Sequence, residues 1–332
     1  RLHLPMKTAQ LFRRPGLLAA VLAAVVVPAA VAEPAKPVLK VGHLPITDHL
    51  TVIAQGREQF QSFELRLVKF SSWAELAEAL KAGAIDGAYA LTPISIGLRQ
   101  KGVPLHAVLL GHRNGSVLTV RNSPDIVSVA DLKGRTIAIP NRLSTHNILL
   151  RKLLLQHRID PEKDVKLIEL APPEMVNALS TGRIDAFIVA EPFGGQAELQ
   201  KIGKVLVLSK DIWPDHICCV LNFRAETIDR HPAAVQEFVT ALVRTGTFIT
   251  EHPHEAAALS KKYLGQKPEV IEHVLTTPAG RVTFDNLVPT AADLTATQDN
   301  LLQLGILKEG IDLTRYLDDR FARQAVAAAA AR

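Results

Sequence analysis

The sequence contains little cysteine and few aromatic residues. Only two of its 332 residues are cysteine, Cys218 and Cys219, and aromatic residues make up 5%. So few rings argue against a sugar-binding surface or a surface on which nucleic-acid bases stack. Neighbouring cysteines rarely bridge to each other because the geometry is strained. We therefore interpret the pair as two small apolar residues buried in a strand; a reactive or metal-binding pair is the alternative.

Acidic residues are missing from the first part of the chain. Residues 1–32 include Arg1, Lys7, Arg13 and Arg14 but no aspartate or glutamate. These four residues carry most of the formal net charge of +5, so the rest of the chain is close to neutral. A basic excess confined to one end argues against nucleic acid as a partner.

The same segment has the pattern of an export signal. Basic residues after Met6, the expected start, precede an apolar run over 17–30, and Ala30-Val31-Ala32 matches an A-x-A cleavage site. The run is shorter than the roughly 20 residues that a membrane span needs. We therefore expect a signal peptide over residues 1–32, cleavage after Ala32 and a periplasmic mature protein.

Beyond residue 37, short apolar segments alternate with helical patterns. The patterns predict strands over Val38–Gly42, Leu105–Leu110 and Thr136–Ile139, and helices over Trp73–Ala82 and Ser144–His157. This alternation is typical of βα units on a mostly parallel sheet. The chain is also too long for one compact core. The predicted fold class is α/β with two lobes.

One segment is repeated within the chain. Residues 79–93 read ALKAGAIDGAYALTP and residues 178–192 read ALSTGRIDAFIVAEP, with Ala, Leu, Gly, Ile, Asp and Pro in register. Each copy has the pattern of a helix end, a Gly cap, an Ile-Asp turn, a buried strand and a Pro at the next helix start. We interpret the repeat as two lobes with the same plan. Ligands bind beyond the carboxyl ends of such strands, so both repeats are expected to face one cleft.

The repeat and the composition together predict the domain boundaries. We expect a first lobe made of residues 38–121 and 222–322, with crossings between the lobes near Arg121–Pro124 and Leu221–Arg224. The second lobe is predicted over residues 122–221. From about Asn222 the pattern turns helical, and residues 323–332 form an Ala-rich tail.

Three segments of the chain resemble a known family. SWAELAEALKAGAIDGAYALTP, GHRNGSVLTV and the stretch from DLKGRTIAIPNRLSTHN to ALSTGRIDAFIVAEPF resemble the periplasmic nitrate- and bicarbonate-binding proteins of ABC importers. The wider group includes binders of sulfonates, taurine and thiamine precursors. The resemblance covers roughly residues 38–260. It implies a type II periplasmic binding fold with mixed, mostly parallel sheets and an interlobe cleft, which captures a small anion and delivers it to a permease and its ATPase.

The resemblance also carries over to single positions. Trp73 matches the Trp of the family's S-W segment, Thr92 follows its A-x-x-L-x-P strand, and His146 matches the His of its S-x-H-N helix start. Glu191 precedes Pro in the second lobe's E-P-[WF] motif. The resemblance implies that an acidic residue at this position suits bicarbonate with a metal ion, whereas a basic residue suits nitrate.

The residues themselves support a ligand site between the lobes. Ser144 or Thr145 is expected to cap the helix that follows Pro140, where free N–H groups attract an anion. Thr47 or Asp48 is expected to cap the corresponding turn of the first lobe. The predicted ligand-binding set gathers polar residues near strand ends: His49, Trp73, Thr92, Arg113, Asn114, His146, Glu191 and His216. Arg113 suits an oxyanion.

Other classes of function have less support. No nucleophile elbow, P-loop or GxGxxG turn is present, so we expect no enzyme and assign no catalytic residue. The histidines together with Glu191 have no tight metal-ligand spacing, so no cofactor or metal ligand is assigned; a divalent metal accompanying the ligand is the alternative. A binder of a thiamine-precursor pyrimidine or another aromatic solute, and a cofactor-dependent enzyme on the same fold, also stay open. We expect a monomer.

Overall fold

We describe a computed structural model, which covers residues 2–3 and 35–330 of the chain. The predicted signal peptide and its cleavage site lie outside the residues described. The part described is built from short strands and helices in alternation. No helix within it is both long enough and apolar enough to cross a membrane.

The strands are short and largely buried. In chain order they are β1 (Val38–His43), β2 (Glu64–Lys69), β3 (Gly87–Leu91), β4 (Leu105–Leu110), β5 (Arg113–Asn114), β6 (Ser116–Arg121), β7 (Thr136–Ile139), β8 (Lys166–Glu169), β9 (Ala186–Ala190), β10 (Gly203–Leu208), β11 (Cys219–Arg224) and β12 (Val282–Thr283).

The helices connect the strands and dominate the C-terminal third. They are α1 (Ala54–Arg57), α2 (Trp73–Ala82), α3 (Thr92–Gln100), α4 (Thr145–Gln156), α5 (Pro172–Ser180), α6 (Phe193–Leu199), α7 (Ser209–Ile212), α8 (Ala225–Arg230), α9 (Pro232–Glu251), α10 (Pro253–Tyr263), α11 (Pro268–Thr276), α12 (Ala291–Gln303) and α13 (Arg320–Ala330). Short 3-10 helices cover Thr47–Ile53, Val129–Leu132 and Leu313–Arg315.

Two five-stranded sheets have the same strand plan. The first has the order β2-β1-β3-β11-β4, and the second has the order β8-β7-β9-β6-β10. In each sheet the first three strands run parallel and the last two alternate in direction. Each sheet is the centre of one lobe, in agreement with the predicted mixed, mostly parallel α/β architecture.

The repeated segment occupies the same place in both sheets. It comprises the end of α2 with β3 in the first copy, and the end of α5 with β9 in the second. Gly83 and Gly182 follow these helices with φ of 72° and 71°, the left-handed conformation that glycine adopts at least cost. Ile85 and Ile184 are buried at the turn. The repeat therefore marks two copies of one βα unit.

The chain changes sheet earlier than the sequence pattern predicts. Strand β6 pairs with β9 and β10 in the second sheet, although residues 116–121 are predicted to end the first lobe. Strand β11 pairs with β3 and β4 in the first sheet from Cys219 onward, ahead of the predicted crossing near Leu221. The apolar runs predict strands correctly but do not show which neighbour each strand pairs with.

The helical C-terminal region packs largely on the first sheet. Phe238 of α9 lies against Phe63 and Phe223, with ring centroids 6.0 and 6.3 Å apart, so α9 covers one face of this sheet. Helices α9 and α12 lie in the region that is predicted to turn helical from about Asn222. Most of the Ala-rich tail belongs to α13, which begins at Arg320.

Candidate functional site

Polar side chains from both lobes meet in the buried interior at the ends of the strands. Seven of them form what we call the cleft cluster, in which every side chain is at most 2% exposed: Asp48, His49, His112, His146, His216, Cys218 and Cys219. These residues follow β1 and β4 of the first sheet, open helix α4 of the second lobe, or lie at the start of β11. The cluster thus lies where the chain topology places a ligand in open α/β sheets.

The first lobe contributes His49, whose ring has a fixed orientation. The backbone N–H of Leu44 donates to His49 Nδ1 at 2.7 Å, which is shorter than the 3.2 Å from Nδ1 to the Leu44 carbonyl oxygen. We therefore assign Nδ1 as the acceptor and place the proton of the neutral imidazole on Nε2. The ring stacks on Tyr89 and meets Trp73 edge-on. Burial lowers the pKa of His49 well below its usual value, so the ring is neutral. His49 Nε2 is therefore an N–H donor inside the cleft.

Trp73 supplies a second buried donor beside His49. It opens helix α2, whose N-cap Ser72 accepts a hydrogen bond from the backbone N–H of Glu75. Neither Trp73 Nε1 nor His49 Nε2 has a hydrogen-bond partner among the residues described. Buried N–H groups normally have partners, because an unmade hydrogen bond costs about 1–3 kcal/mol. Both donors are therefore available to a bound solute.

Asp48 is a wholly buried carboxyl group without a counter-ion. Its Oδ1 lies 3.3 Å from His112 Nδ1, but within residues 35–330 neither of its oxygens accepts a well-formed hydrogen bond. Burial raises the pKa of Asp48 to about 8. The prediction that Thr47 or Asp48 caps this turn is wrong: Ile46 is the N-cap, no side chain caps it, and Asp48 points into the interior.

A glycine permits the close approach of Asp48 to the end of β4. A Cβ atom at Gly111 would lie 2.5 Å from the Asp48 carbonyl oxygen, closer than any side chain tolerates. The adjacent His112 is held by Thr47, whose Oγ1 lies 2.9 Å from His112 Nε2. Burial lowers the pKa of His112 to about 3, so this imidazole is neutral.

The second lobe contributes His146 from the first turn of α4. The Ser144 side chain caps this helix by accepting a hydrogen bond from the Asn147 N–H at 3.0 Å, one of the two caps predicted. His146 Nε2 lies 3.0 Å from Ser116 Oγ and 3.7 Å from Cys218 Sγ. Burial lowers the pKa of His146 to about 3. The neutral ring thus lies against Ser116 and Cys218.

The cysteine pair is fixed from the first lobe by Thr92. The Thr92 N–H and Oγ1 both donate to the Cys218 carbonyl oxygen, at 2.9 and 3.0 Å. Both thiols are buried, as the apolar interpretation requires, and burial raises the pKa of Cys218 to about 11. Their sulfur atoms lie 3.9 Å apart, so they are not bonded to each other.

His216, which lies just before β11, is the last member of the cleft cluster. Its Nδ1 donates to the Ile217 carbonyl oxygen at 3.4 Å, which leaves a lone pair on Nε2. This Nε2 atom has no partner among the described residues. Burial lowers the pKa of His216 to about 4, and the proximity of His216 helps to keep His112 and His146 neutral.

Glu191 is fully buried in an ion pair that the sequence did not predict. Arg281 donates to Glu191 Oε1 from both Nε, at 2.7 Å, and Nη2, while the Gly195 N–H donates to Oε2 at 3.0 Å. Burial raises the pKa of Glu191, and the guanidinium of Arg281 opposes that rise. Both carboxylate oxygens of Glu191 are therefore engaged by groups of the protein itself. Arg281 lies too far along the sequence for any local pattern to reveal the pair.

Two predicted site residues are used elsewhere. The guanidinium of Arg113 forms two hydrogen bonds with the Asp293 carboxylate, at 2.9 and 3.0 Å, and others with the Asn286 and Asp215 carbonyl oxygens. Asn114 has φ of 59°, and its Oδ1 accepts the Asp215 N–H at 2.9 Å. These contacts hold the loop before His216 in place. Arg113 and Asn114 therefore support this loop and do not present free polar groups to the cleft.

The structure thus brings together part of the predicted set. His49, Trp73, Thr92, His146 and His216 lie in or against the cleft cluster, whereas Glu191 and Arg113 are bound in ion pairs. The prediction overlooked Asp48, His112 and the cysteines as members of one group. A polar residue in a predicted buried strand, or directly after one, is the signal that could have found them.

Three comparisons relate the chain to known proteins. The sequence profile of the NMT1-like family matches residues 32–265. A nitrate import ATP-binding protein of Synechocystis is 30% identical over 258 residues, which cover 70% of this chain but only 38% of that protein. The chain therefore spans well under half the length of this relative.

Solved structures show the same architecture. A ligand-binding component of an ABC-type import system from Staphylococcus aureus, solved with zinc bound, is 28% identical with a TM-score of 0.80, covering 87% of this chain and 99% of that one. The periplasmic nitrate-binding protein of Synechocystis is 19% identical with a TM-score of 0.81, covering 88% and 89%. The predicted two-lobed periplasmic binding fold is confirmed.

Proposed function

The chain belongs to the NMT1-like family, and on this premise we propose that it is the solute-binding component of an ABC importer and captures a small anion between its two lobes. Nitrate, bicarbonate and sulfonate-like anions are the candidate solutes. The protein acts in the periplasm and delivers the solute to a permease that an ATPase drives. Its role is capture and delivery, not catalysis.

The pair of unpartnered N–H donors in the cleft carries this proposal. His49 Nε2 and Trp73 Nε1 are buried, are held in orientation by their neighbours, and have no acceptor among the described residues. An oxyanion offers acceptor atoms to both. Such neutral donors bind an anion without a fixed positive charge in the site, so the anion also leaves readily.

The N-terminal turn of α4 adds a third hydrogen-bond donor, which belongs to the second lobe. Thr145 and His146 lie in this turn, and Thr145 Oγ1 is a buried hydroxyl without a partner in the described part of the chain. The partial positive charge of a helix N-terminus stabilises an anion nearby. Donors from both lobes can therefore contact one solute at the same time.

Closure of the lobes follows from such bridging. A hydrogen bond of 2.7 Å from the Thr47 N–H to the Glu191 carbonyl oxygen joins the first lobe to the second. A solute that contacts donors on both sides favours the closed arrangement by the difference in its contacts between the open and closed states. The closed form is the one that docks on the permease.

A thermal-shift screen with purified protein tests the proposal. The panel comprises nitrate, nitrite, bicarbonate with calcium, taurine, alkanesulfonates and thiamine precursors, each also followed for turnover. A saturable rise in Tm with an anion and no product supports the proposal. A response to thiamine precursors alone, or turnover of any compound, contradicts it and favours an aromatic-solute binder or an enzyme, respectively.

A further inference from the structure

The cleft cluster contains an arrangement that anion binding alone does not explain. One carboxylate oxygen of Asp48, Cys218 Sγ and Cys219 Sγ all lie within 4.8 Å of one another, and all three side chains are fully buried. These are three atoms with lone pairs, each from a group that becomes anionic on losing a proton. Once deprotonated, they are partners for a cation and not for an anionic solute.

We propose that Asp48, Cys218 and Cys219 bind a thiophilic divalent metal ion such as Zn²⁺. This proposal rests on the proposed function, in that the same cleft also holds the solute. Two thiolates with a carboxylate form a ligand set suited to Zn²⁺, because soft sulfur ligands exclude Mg²⁺ and Ca²⁺. Three protein ligands leave one of the four tetrahedral positions open. The captured anion occupies that position.

The sulfur separation agrees with shared coordination. Two Zn–S bonds of about 2.3 Å at a tetrahedral angle place the sulfur atoms roughly 3.8 Å apart. The Cys218 and Cys219 sulfur atoms lie 3.9 Å apart, although adjacent residues of a regular strand point to opposite faces. Cys218 immediately precedes β11, so its backbone is outside the regular strand and its thiol lies on the same side as that of Cys219.

The unpartnered carboxyl group gives a second, independent argument. No lysine or arginine within residues 35–330 pairs with Asp48, and both of its oxygens lack hydrogen bonds. Two arginines of this region are already engaged: Arg281 pairs with Glu191 and Glu198, and Arg113 pairs with Asp293. Ionising a buried carboxyl group without a charged partner is costly. A bound cation supplies the missing partner.

Two histidines contact the proposed metal ligands. His112 Nδ1 lies 3.3 Å from Asp48 Oδ1, and His146 Nε2 lies 3.7 Å from Cys218 Sγ. Both rings therefore add polar contacts to the groups that would hold the metal. Partners of this kind orient the ligands of a metal, and their loss typically weakens metal affinity about 10–100-fold.

Metal titration of the reduced, chelator-treated full chain tests the proposal. We expect one Zn²⁺ per chain by calorimetry and elemental analysis, and a thiolate-to-metal charge-transfer band when Co²⁺ replaces Zn²⁺. The Cys218→Ser/Cys219→Ser variant should lose this band and the bound Zn²⁺, and Asp48→Asn should weaken Zn²⁺ binding at least about tenfold. Stoichiometric Zn²⁺ binding that persists unchanged in the double cysteine variant would overturn the proposal.

The control variant removes an exposed histidine. His254 lies on the surface, 3.1 Å from Glu272, and can bind metal adventitiously. His254→Gln should retain the charge-transfer band and the tight site. Should a cysteine variant fail to fold, protection of the wild-type thiols from alkylation by stoichiometric Zn²⁺ replaces it as the decisive measurement, and absence of protection contradicts the proposal.

The same samples separate this proposal from the proposed function. Nitrate, bicarbonate and an alkanesulfonate are titrated into metal-free and Zn²⁺-loaded wild-type protein. An anion that binds only, or at least about tenfold more tightly, to the loaded form supports coordination to the metal. Equal binding to both forms keeps the anion-binding function and refutes the metal's part in it. Zn²⁺ binding by the thiols without any anion binding refutes the function but not the metal site.

Discussion

Asp185 makes the same backbone contacts in the second sheet that Asp86 makes in the first. Asp86 Oδ2 accepts the Lys40 N–H in β1 at 2.7 Å, and Asp185 Oδ2 accepts the Thr136 N–H in β7 at 3.0 Å. The backbone N–H of each aspartate returns the bond to the carbonyl oxygen of the same residue, at 2.9 Å in both copies. The Ile-Asp turn of the repeat thus ties each central strand to its parallel neighbour.

Replacing either aspartate by alanine should destabilise its lobe. A hydrogen bond to a charged acceptor contributes about 1.5–3 kcal/mol, so we expect Asp86→Ala and Asp185→Ala each to lower the free energy of unfolding by about this amount. Urea unfolding followed by circular dichroism measures the change. Asp299→Ala, at an exposed position of α12, is the matched control and should stay within about 0.5 kcal/mol of the wild type.

The repeat shows why much of the fold could be predicted from the sequence. Helix α2 begins and ends at the predicted residues, because Ser72, the apolar spacing and Gly83 are all local signals. The exchange of strands between lobes could not be predicted this way. β6 and β11 are apolar runs that fit either sheet, and their pairing is decided by contacts distant in sequence.

The candidate site was less predictable for the same reason. His49 and His146 could be nominated because each lies just after a strand, where local pattern and topology agree. The engagement of Arg113 by Asp293 and of Glu191 by Arg281 depends on partners 180 and 90 residues away. The place of Asp48 in the cluster also depends on a nonlocal contact. Asp48 lies beside Cys218 and Cys219, which come after the whole of the second lobe in the chain.

The Glu191–Arg281 pair should behave as one structural unit. Removing only the guanidinium leaves a buried carboxylate, so Arg281→Met should lower the free energy of unfolding by about 3–5 kcal/mol. In the Glu191→Gln background the same change should cost clearly less, because only the partly exposed Glu198 then loses a charged partner. A double-mutant cycle by urea unfolding measures the coupling. Additive effects of the two substitutions would show that the pair is not coupled.

Removing the indole N–H of Trp73 should weaken solute binding with little effect on folding. Trp73→Phe keeps an apolar ring at the start of α2 but loses one donor, so we expect a loss of about 0.5–1.5 kcal/mol in affinity, roughly 2- to 12-fold in Kd. Calorimetry with the anion found in the screen provides the measurement. An unchanged Kd in Trp73→Phe would rule out the N–H as a ligand contact.

Burial of His43 should make the protein less stable in mild acid. Burial, together with the charge of Lys69, lowers the pKa of His43 from 6.5 to about 4 in the folded protein, whereas the unfolded chain keeps the ordinary value. The unfolded state therefore binds more protons between these two values, and stability is full above pH 6.5 and falls as the pH drops toward 4. At about 1.4 kcal/mol for each pH unit, the loss approaches about 3 kcal/mol for this residue.

Urea unfolding at a series of pH values in the wild type and in His43→Gln measures the difference in slope. The variant, which has no titrating group at this position, should show a flatter profile between pH 6.5 and 4, and parallel profiles would contradict the assignment.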